Sequence, residues 1–265
     1  MRVLVYRIVV LLTVFLAACD THDKQSAIPL VLTFNGEDLA CDSSNIQSGW
    51  QVEQLQFFIS DIAIKDQQEQ WHQLKLEPSQ YQSESVALLS LMCEQGKKTE
   101  QNLQLVLASK IEPADVSEIA FDLGVPFELN HQNPLTQPSP LNEASMFWVW
   151  RTGHKFMRVE MNNDNEAWWF HLGSTGCSAA SPVRAPSQPC RQPNRFRYRI
   201  STNSYEPISI NFSLDSMLSD LVLNERNSCQ SEPDNVSCHA LFSNVQRAFS
   251  IGTQTPETNT QASLN

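Results

Sequence analysis

The chain lacks the short motifs of nucleotide-dependent and hydrolytic enzymes: it has no P-loop, no H-E-x-x-H, no G-x-S-x-G and no dinucleotide fingerprint. GSTG at Gly173–Gly176 has the composition of a nucleophile turn without its spacing. Positive charge is scarce, with 18 Lys and Arg against 29 Asp and Glu and a formal net charge of −11. Without a basic stripe to neutralise phosphates, nucleic acid is excluded as a partner. No C-x-x-C occurs, which argues against a zinc site. Cys238-His239 lacks the cysteine three residues earlier that a c-type haem requires, because Asn235 stands there, so the chain carries no such haem of its own. There is also no internal repeat and no linker that splits the chain cleanly.

What is present begins with an export signal. Arg2 and Arg7 precede an apolar run from Ile8 to Ala18 that is too short to span a bilayer, so residues 1–18 read as a signal peptide. Leu16-Ala17-Ala18-Cys19 resembles the lipobox of bacterial lipoproteins, which makes Cys19 the acylated first residue of the mature chain and its membrane anchor. Asp20 resembles the inner-membrane retention signal of enterobacterial lipoproteins. Residues 19–27 then form a polar tether, and removing the leader takes away Arg2 and Arg7, making the chain more acidic still. Six cysteines remain: Cys41, Cys93, Cys177, Cys190, Cys229 and Cys238. An even set in an oxidising compartment points to disulfides, although six cysteines allow fifteen pairings. The local pairs Cys177 with Cys190 and Cys229 with Cys238 enclose Pro-, Ser- or Asn-rich loops, which leaves Cys41 for Cys93.

The body reads as mostly β. Ile28–Phe34 and Leu55–Ile64 are rich in β-branched and aromatic residues. Leu103, Leu105 and Leu107 alternate with polar neighbours, as do Phe196, Tyr198 and Ile200, and Ile208, Ile210 and Phe212. Residues 130–145 hold three prolines and residues 178–194 hold four, so neither segment is a central strand. Helices are expected over Ser213–Asn224 and Ala240–Phe249, with disorder after Gly252. The expectation is a single β-sandwich-like domain over residues 28–252, with long disulfide-stapled loops and one or two short helices.

Chemistry is left to histidine and tryptophan. MFWVWRTGHK, from Met146 to Lys155, places Trp148 and Trp150 on one face if Met146–Trp150 is a strand. Trp169 and His171 share a face of the next strand if residues 162–166 turn the two into a hairpin, and His131 arrives from the proline-rich loop. The plain alternative is that paired tryptophans fill core volume and the histidines are incidental.

Beyond these patterns, GVPFELNH, PSPLN, MFWVWRTGHKF, HLGSTGC and C-x-x-P-N-R recur in an order that resembles the metallo-mystery-pair four-Cys family, the MbnP-like proteins, with their W-x-W-x-x-G-x-K signature. The resemblance is dense over residues 120–195 and looser in LQFFISDIAI and SVALLSL upstream. It implies that the family's four cysteines are Cys177, Cys190, Cys229 and Cys238, and that Gly153 and Lys155 complete the signature. It further implies a partner, a periplasmic di-haem enzyme of the MauG and cytochrome c peroxidase type, which oxidises a client tryptophan to kynurenine. Trp148 and Trp150 are the implied targets, with His131 and His171 as copper ligands. His154 stands where the family often has tyrosine and is a third candidate ligand. Neutral imidazole suits copper.

The function expected is therefore a non-enzymatic, periplasm-facing copper lipoprotein matured by its partner. The alternative is a structural or ligand-binding β-sandwich lipoprotein without metal. A copper oxidase would have to turn over substrate unaided, and nothing in the sequence asks for that.

Overall fold

The computed structural model describes residues 25–43, 46–47, 49–202 and 207–253, so the leader, Cys19, Asp20 and the C-terminal tail lie outside the described residues. The strands are β1 (Gln25–Phe34), β2 (Glu37–Asp38), β3 (Gln51–Asp66), β4 (Trp71–Gln73), β5 (Val86–Glu94), β6 (Lys97–Asn102), β7 (Gln104–Ile111), β8 (Val116–Leu123), β9 (Lys155–Asn162), β10 (Ala167–Gly173), β11 (Phe196–Ser201), β12 (Ile208–Ser213) and β13 (Phe249–Thr253). The helices are α1 (Phe127–Asn130), α2 (Leu214–Met217) and α3 (Val236–Val245). One sheet runs β13-β12-β1-β2 with β7 also on β1, and the larger runs β10-β9-β3-β5-β6 with β4, β8 and β11 added. This is the expected β-sandwich. β1 and β12 pair in parallel, Leu30 opposite Ile210, while the other strand pairs are antiparallel.

β3 is the spine of the larger sheet. Its first half pairs with β9 and β5, and from Ile59 onward it pairs with β8, across a register shift between Ser60 and Ala63, and with β4 beyond that shift. Phe57 points inward, its ring 5.7 Å from Phe212 and 5.4 Å from Phe249 of the smaller sheet. Phe121 and Tyr198 close the same cluster. Each such ring taken from water contributes about 2 kcal/mol. Phe58 points the opposite way, against His154. Both faces of β3 are buried from Leu55 to Ser60, so Phe57, Phe58 and Ile59 stand in succession where a half-exposed strand would alternate, and the buried Gln56 and Ser60 side chains are hydrogen-bonded. The second cover is the segment after β8, secured where the Gly124 N–H donates to Phe58 O and Ser60 Oγ donates to Gly124 O, both at 2.8 Å.

All three expected disulfides are formed: Cys41–Cys93, Cys177–Cys190 and Cys229–Cys238, with sequence separations of 52, 13 and 9. Loop-closure entropy makes the first worth about 4 kcal/mol and the others about 3 kcal/mol each.

Two helix expectations are corrected. The apolar face over Ser213–Asn224 yields only the single turn α2, because Asn244 Nδ2 takes the carbonyls of Met217 (3.1 Å) and Ser219 (2.7 Å) and Asp220 adopts φ +60°. The second helix lies earlier than the pattern around Ala240–Phe249, since the Asn235 side chain caps it by accepting from the Ser237 and Cys238 N–H groups and Phe249 belongs to β13.

Candidate functional site

The W-x-W segment is not a strand. Phe147 bridges to His154, and between them the Thr152 and Gly153 N–H groups donate to Val149 O (3.0 and 2.8 Å) while the Trp148 N–H donates to Gly153 O at 3.1 Å. Gly153 makes this turn possible on two counts. Its φ is +78°, and a Cβ there would lie 2.4 Å from Asn130 Oδ1 and 2.5 Å from Asn130 O. The alternation that predicted a shared face for Trp148 and Trp150 therefore fails, and the two indoles go to different partners.

Trp150 is clasped to His131. Its indole Nε1–H donates to His131 O at 2.6 Å, and His131 Nδ1–H donates back to Trp150 O at 3.3 Å. That places the imidazole lone pair on Nε2, where it accepts from Asn130 Nδ2 at 3.2 Å and lies 3.6 Å from Cys190 Sγ. Burial holds the His131 pKa below the usual histidine value, against the raising effect of the bond to Trp150, so this nitrogen is neutral at pH 7.

Trp148 packs instead on Gly173, two residues beyond His171 in the chain. β9 and β10 form the expected hairpin, with His171 opposite Arg158 and Trp169 opposite Glu160. Side chains alternate along a strand, so Trp169, His171 and the Cα–H of Gly173 face one side. The Trp148 ring lies on Gly173 so closely that a Cβ there would meet its Cζ3 at 2.5 Å. His171 Nε2–H donates to Glu160 Oε1 at 2.8 Å, and Arg158 grips the same carboxylate through Nε (2.7 Å) and Nη2 (2.9 Å). His171 Nδ1 is buried and has no protein partner. An imidazole that gives its N–H to a carboxylate and keeps the other nitrogen free is the arrangement found behind metal-bound histidines.

The charges around His171 carry a pH signature. Burial lowers its pKa, outweighing the opposing bond to Glu160, which keeps the ring neutral. Burial alone would raise the Glu160 pKa, but hydrogen bonds from His171 and Arg158 pull it down to about 2. Both folded-state values lie below their unfolded ones, so both contributions are present near neutrality and fade on acidification. For Glu160 the loss runs from about pH 4.5 down through about pH 2. Urea unfolding between pH 6 and pH 3 is expected to show this fall in wild type and a flatter profile in Glu160→Gln. Parallel profiles would remove Glu160 as its source.

His154 is fully buried, its Nε2 set 2.9 Å from Leu141 O and its Nδ1 3.2 Å from Asn130 Oδ1, with Phe58 and Phe147 edge-on around it. Both of its nitrogens face protein oxygens. Lys155 is a tether, donating from Nζ to Ser145 O at 2.9 Å, and burial followed by repulsion from Arg158 lowers its pKa. Sequence reading missed Asn130, Arg158 and Glu160. Asn130 bonds both the backbone N–H of His154 (2.7 Å) and the ring of His131, and although it stands within GVPFELNH nothing in that motif assigned it a role. Glu160 was legible in principle, as a residue diagonal to His171 in the hairpin register.

Fold and site together define a disulfide-stapled β-sandwich that clasps Trp150 to His131 in its loops and holds His171 against Glu160 on the outer face of its larger sheet. Residues 23–231 match the family model of MbnP, and the chain belongs to that family. Its fold is similar to that of the solved MbnP from Methylosinus trichosporium, with a TM-score of 0.70 across 87% of this chain and 98% of that one at 20% identity. No curated protein sequence matches the chain.

Proposed function

We propose that this protein is a non-enzymatic, periplasm-facing copper-binding lipoprotein, anchored through Cys19, whose site is completed when a di-haem partner of the MauG and cytochrome c peroxidase type oxidises Trp148 or Trp150 to kynurenine. The observation that carries the reading is the buried, unpartnered Nδ1 of His171 with its N–H committed to Glu160. His131 Nε2 is the second donor, shared only with the Asn130 amide and close to Cys190 Sγ. The donor set fits copper: neutral imidazoles are good ligands, and opening an indole ring replaces a poor ligand with an aniline nitrogen and a ketone. Copper, when bound, supplies a redox-active ion for storage or transfer. The chain's own residues fix the imidazole tautomers, hold Trp150 against His131 and set Trp148 on Gly173.

Peptide mass spectrometry of protein purified from its native membrane is expected to find an oxidised tryptophan within residues 146–155, together with bound copper, and protein expressed without the partner is expected to lack the modification. Intact tryptophans and no copper in the native protein would return the chain to the structural reading. That reading draws on His154 and Trp150, whose polar atoms are already bonded within the fold.

A further inference from the structure

The site loops carry a charge that the rest of the chain does not. Against a net charge of −11, residues 167–194 contain no Asp or Glu, but they contain Arg184 and Arg191, and Arg151 stands in the adjoining W-x-W turn. The two segments are joined where the Arg151 N–H donates to Pro182 O at 3.0 Å. Between them lies a cavity of about 510 Å³ lined by Arg151, Arg191, Ser178, Gln188 and Cys177, with no carboxylate in its wall. Among the described residues the arginine ion pairs belong to Arg158, Arg195 and Arg197, so the two cavity guanidiniums have no counter-charge there.

The stem of Arg191 is seated against Gly176 and leaves its guanidinium exposed at the cavity. The residue follows Cys190, whose disulfide partner Cys177 follows Gly176, and it lies across that glycine so closely that a Cβ would meet Arg191 Cβ at 3.0 Å and Nε at 3.2 Å. Gly176 has φ +68°, so the missing side chain and the backbone conformation both serve this placement. Two uncompensated guanidiniums at one preformed cavity are a recognition device for planar anions, because each fork matches a carboxylate. We propose that this cavity binds a small dicarboxylate, with Arg151 and Arg191 as the charged donors and Ser178 and Gln188 as neutral ones. The cavity shares a wall with the histidine site, since Cys177 lines it and Cys190 touches His131. Its ligand is nonetheless distinct from the metal, and binding does not depend on the copper reading.

The test is calorimetric titration of succinate into the full mature protein, freed of metal over a chelating resin. A saturable single site is expected that weakens with added salt and does not take succinamide, the uncharged analogue. Arg151→Gln and Arg191→Gln are each expected to weaken binding by about tenfold or more. Arg184→Gln makes the same charge change outside the cavity and is expected to leave affinity within about twofold. The proposal is overturned if succinamide binds as well as succinate, if Arg184→Gln weakens binding as much as the cavity variants, or if wild type shows no saturable heat. The succinamide comparison uses wild type alone and stands even if an arginine variant folds poorly.

Discussion

Gly153→Ala is expected to lower the thermal unfolding midpoint by about 10 °C, which corresponds to about 3 kcal/mol in a chain of this size. The left-handed conformation accounts for about 1 kcal/mol of that loss, since an alanine at φ +78° is strained wherever it stands. The larger part comes from Asn130. A methyl group 2.4 Å from Asn130 Oδ1 cannot be accommodated, so either the W-x-W turn or the asparagine must move. Asn130 holds the backbone of His154 and the ring of His131, so the disturbance reaches both histidines. Gly36→Ala provides the control, because Gly36 has φ +81° with nothing within 4 Å of the added carbon. Calorimetric scans of the two variants separate backbone strain from steric contact, and equal losses would mean that the Asn130 contact is loose.

On the copper reading, Glu160→Gln is expected to weaken copper binding by about 10- to 100-fold without changing its stoichiometry. The carboxylate does not approach the ion's donor atom. It acts through the imidazole, holding Nε2–H at 2.8 Å and so keeping the lone pair on Nδ1, while Arg158 fixes the carboxylate at 2.7 and 2.9 Å. A glutamine in its place still offers an oxygen but no charge, and its amide can turn to present N–H to the ring instead. His171→Ala removes the donor itself and is expected to abolish high-affinity binding, as is the double variant of His131 and His171. Competition titration against a chromogenic copper chelator measures each variant, with Glu166→Gln in the hairpin turn as the distant charge control. An unchanged affinity in Glu160→Gln would show that His171 does not present Nδ1 to the ion.

Much of the fold was legible because it follows from local pattern. Alternation located β7, β11 and β12, proline density marked the two long loops, and loop enclosure paired Cys177 with Cys190 and Cys229 with Cys238. The reading went wrong where distant side chains overrule local preference. The apolar stripe around Leu214 and Leu218 is a good helical pattern, but it is cut short by Asn244, which lies after Leu218 in the chain and beside Met217 in space. Likewise Trp148 and Trp150 sit at strand spacing, yet Gly153 and Asn130 bend that segment into a turn. The candidate site was legible as a list of residues and hidden as an arrangement. His131 and His171 were named from sequence, whereas the buried Asn130 and the half-buried Glu160 that orient them become apparent only through the turn and the hairpin register.

The parallel pairing of β1 with β12 has a bearing on how the chain comes to fold. The first strand finds its neighbour at Ile210, about four-fifths of the way along the polypeptide, so no early portion can complete the smaller sheet by itself. Until that late strand is available, β1 offers an open edge to any other extended peptide nearby. A polypeptide delivered from its N-terminus is therefore exposed to mispairing for most of its delivery, and a product cut short before residue 208 would retain His131, His171 and the tryptophans while lacking the strand that closes the smaller sheet.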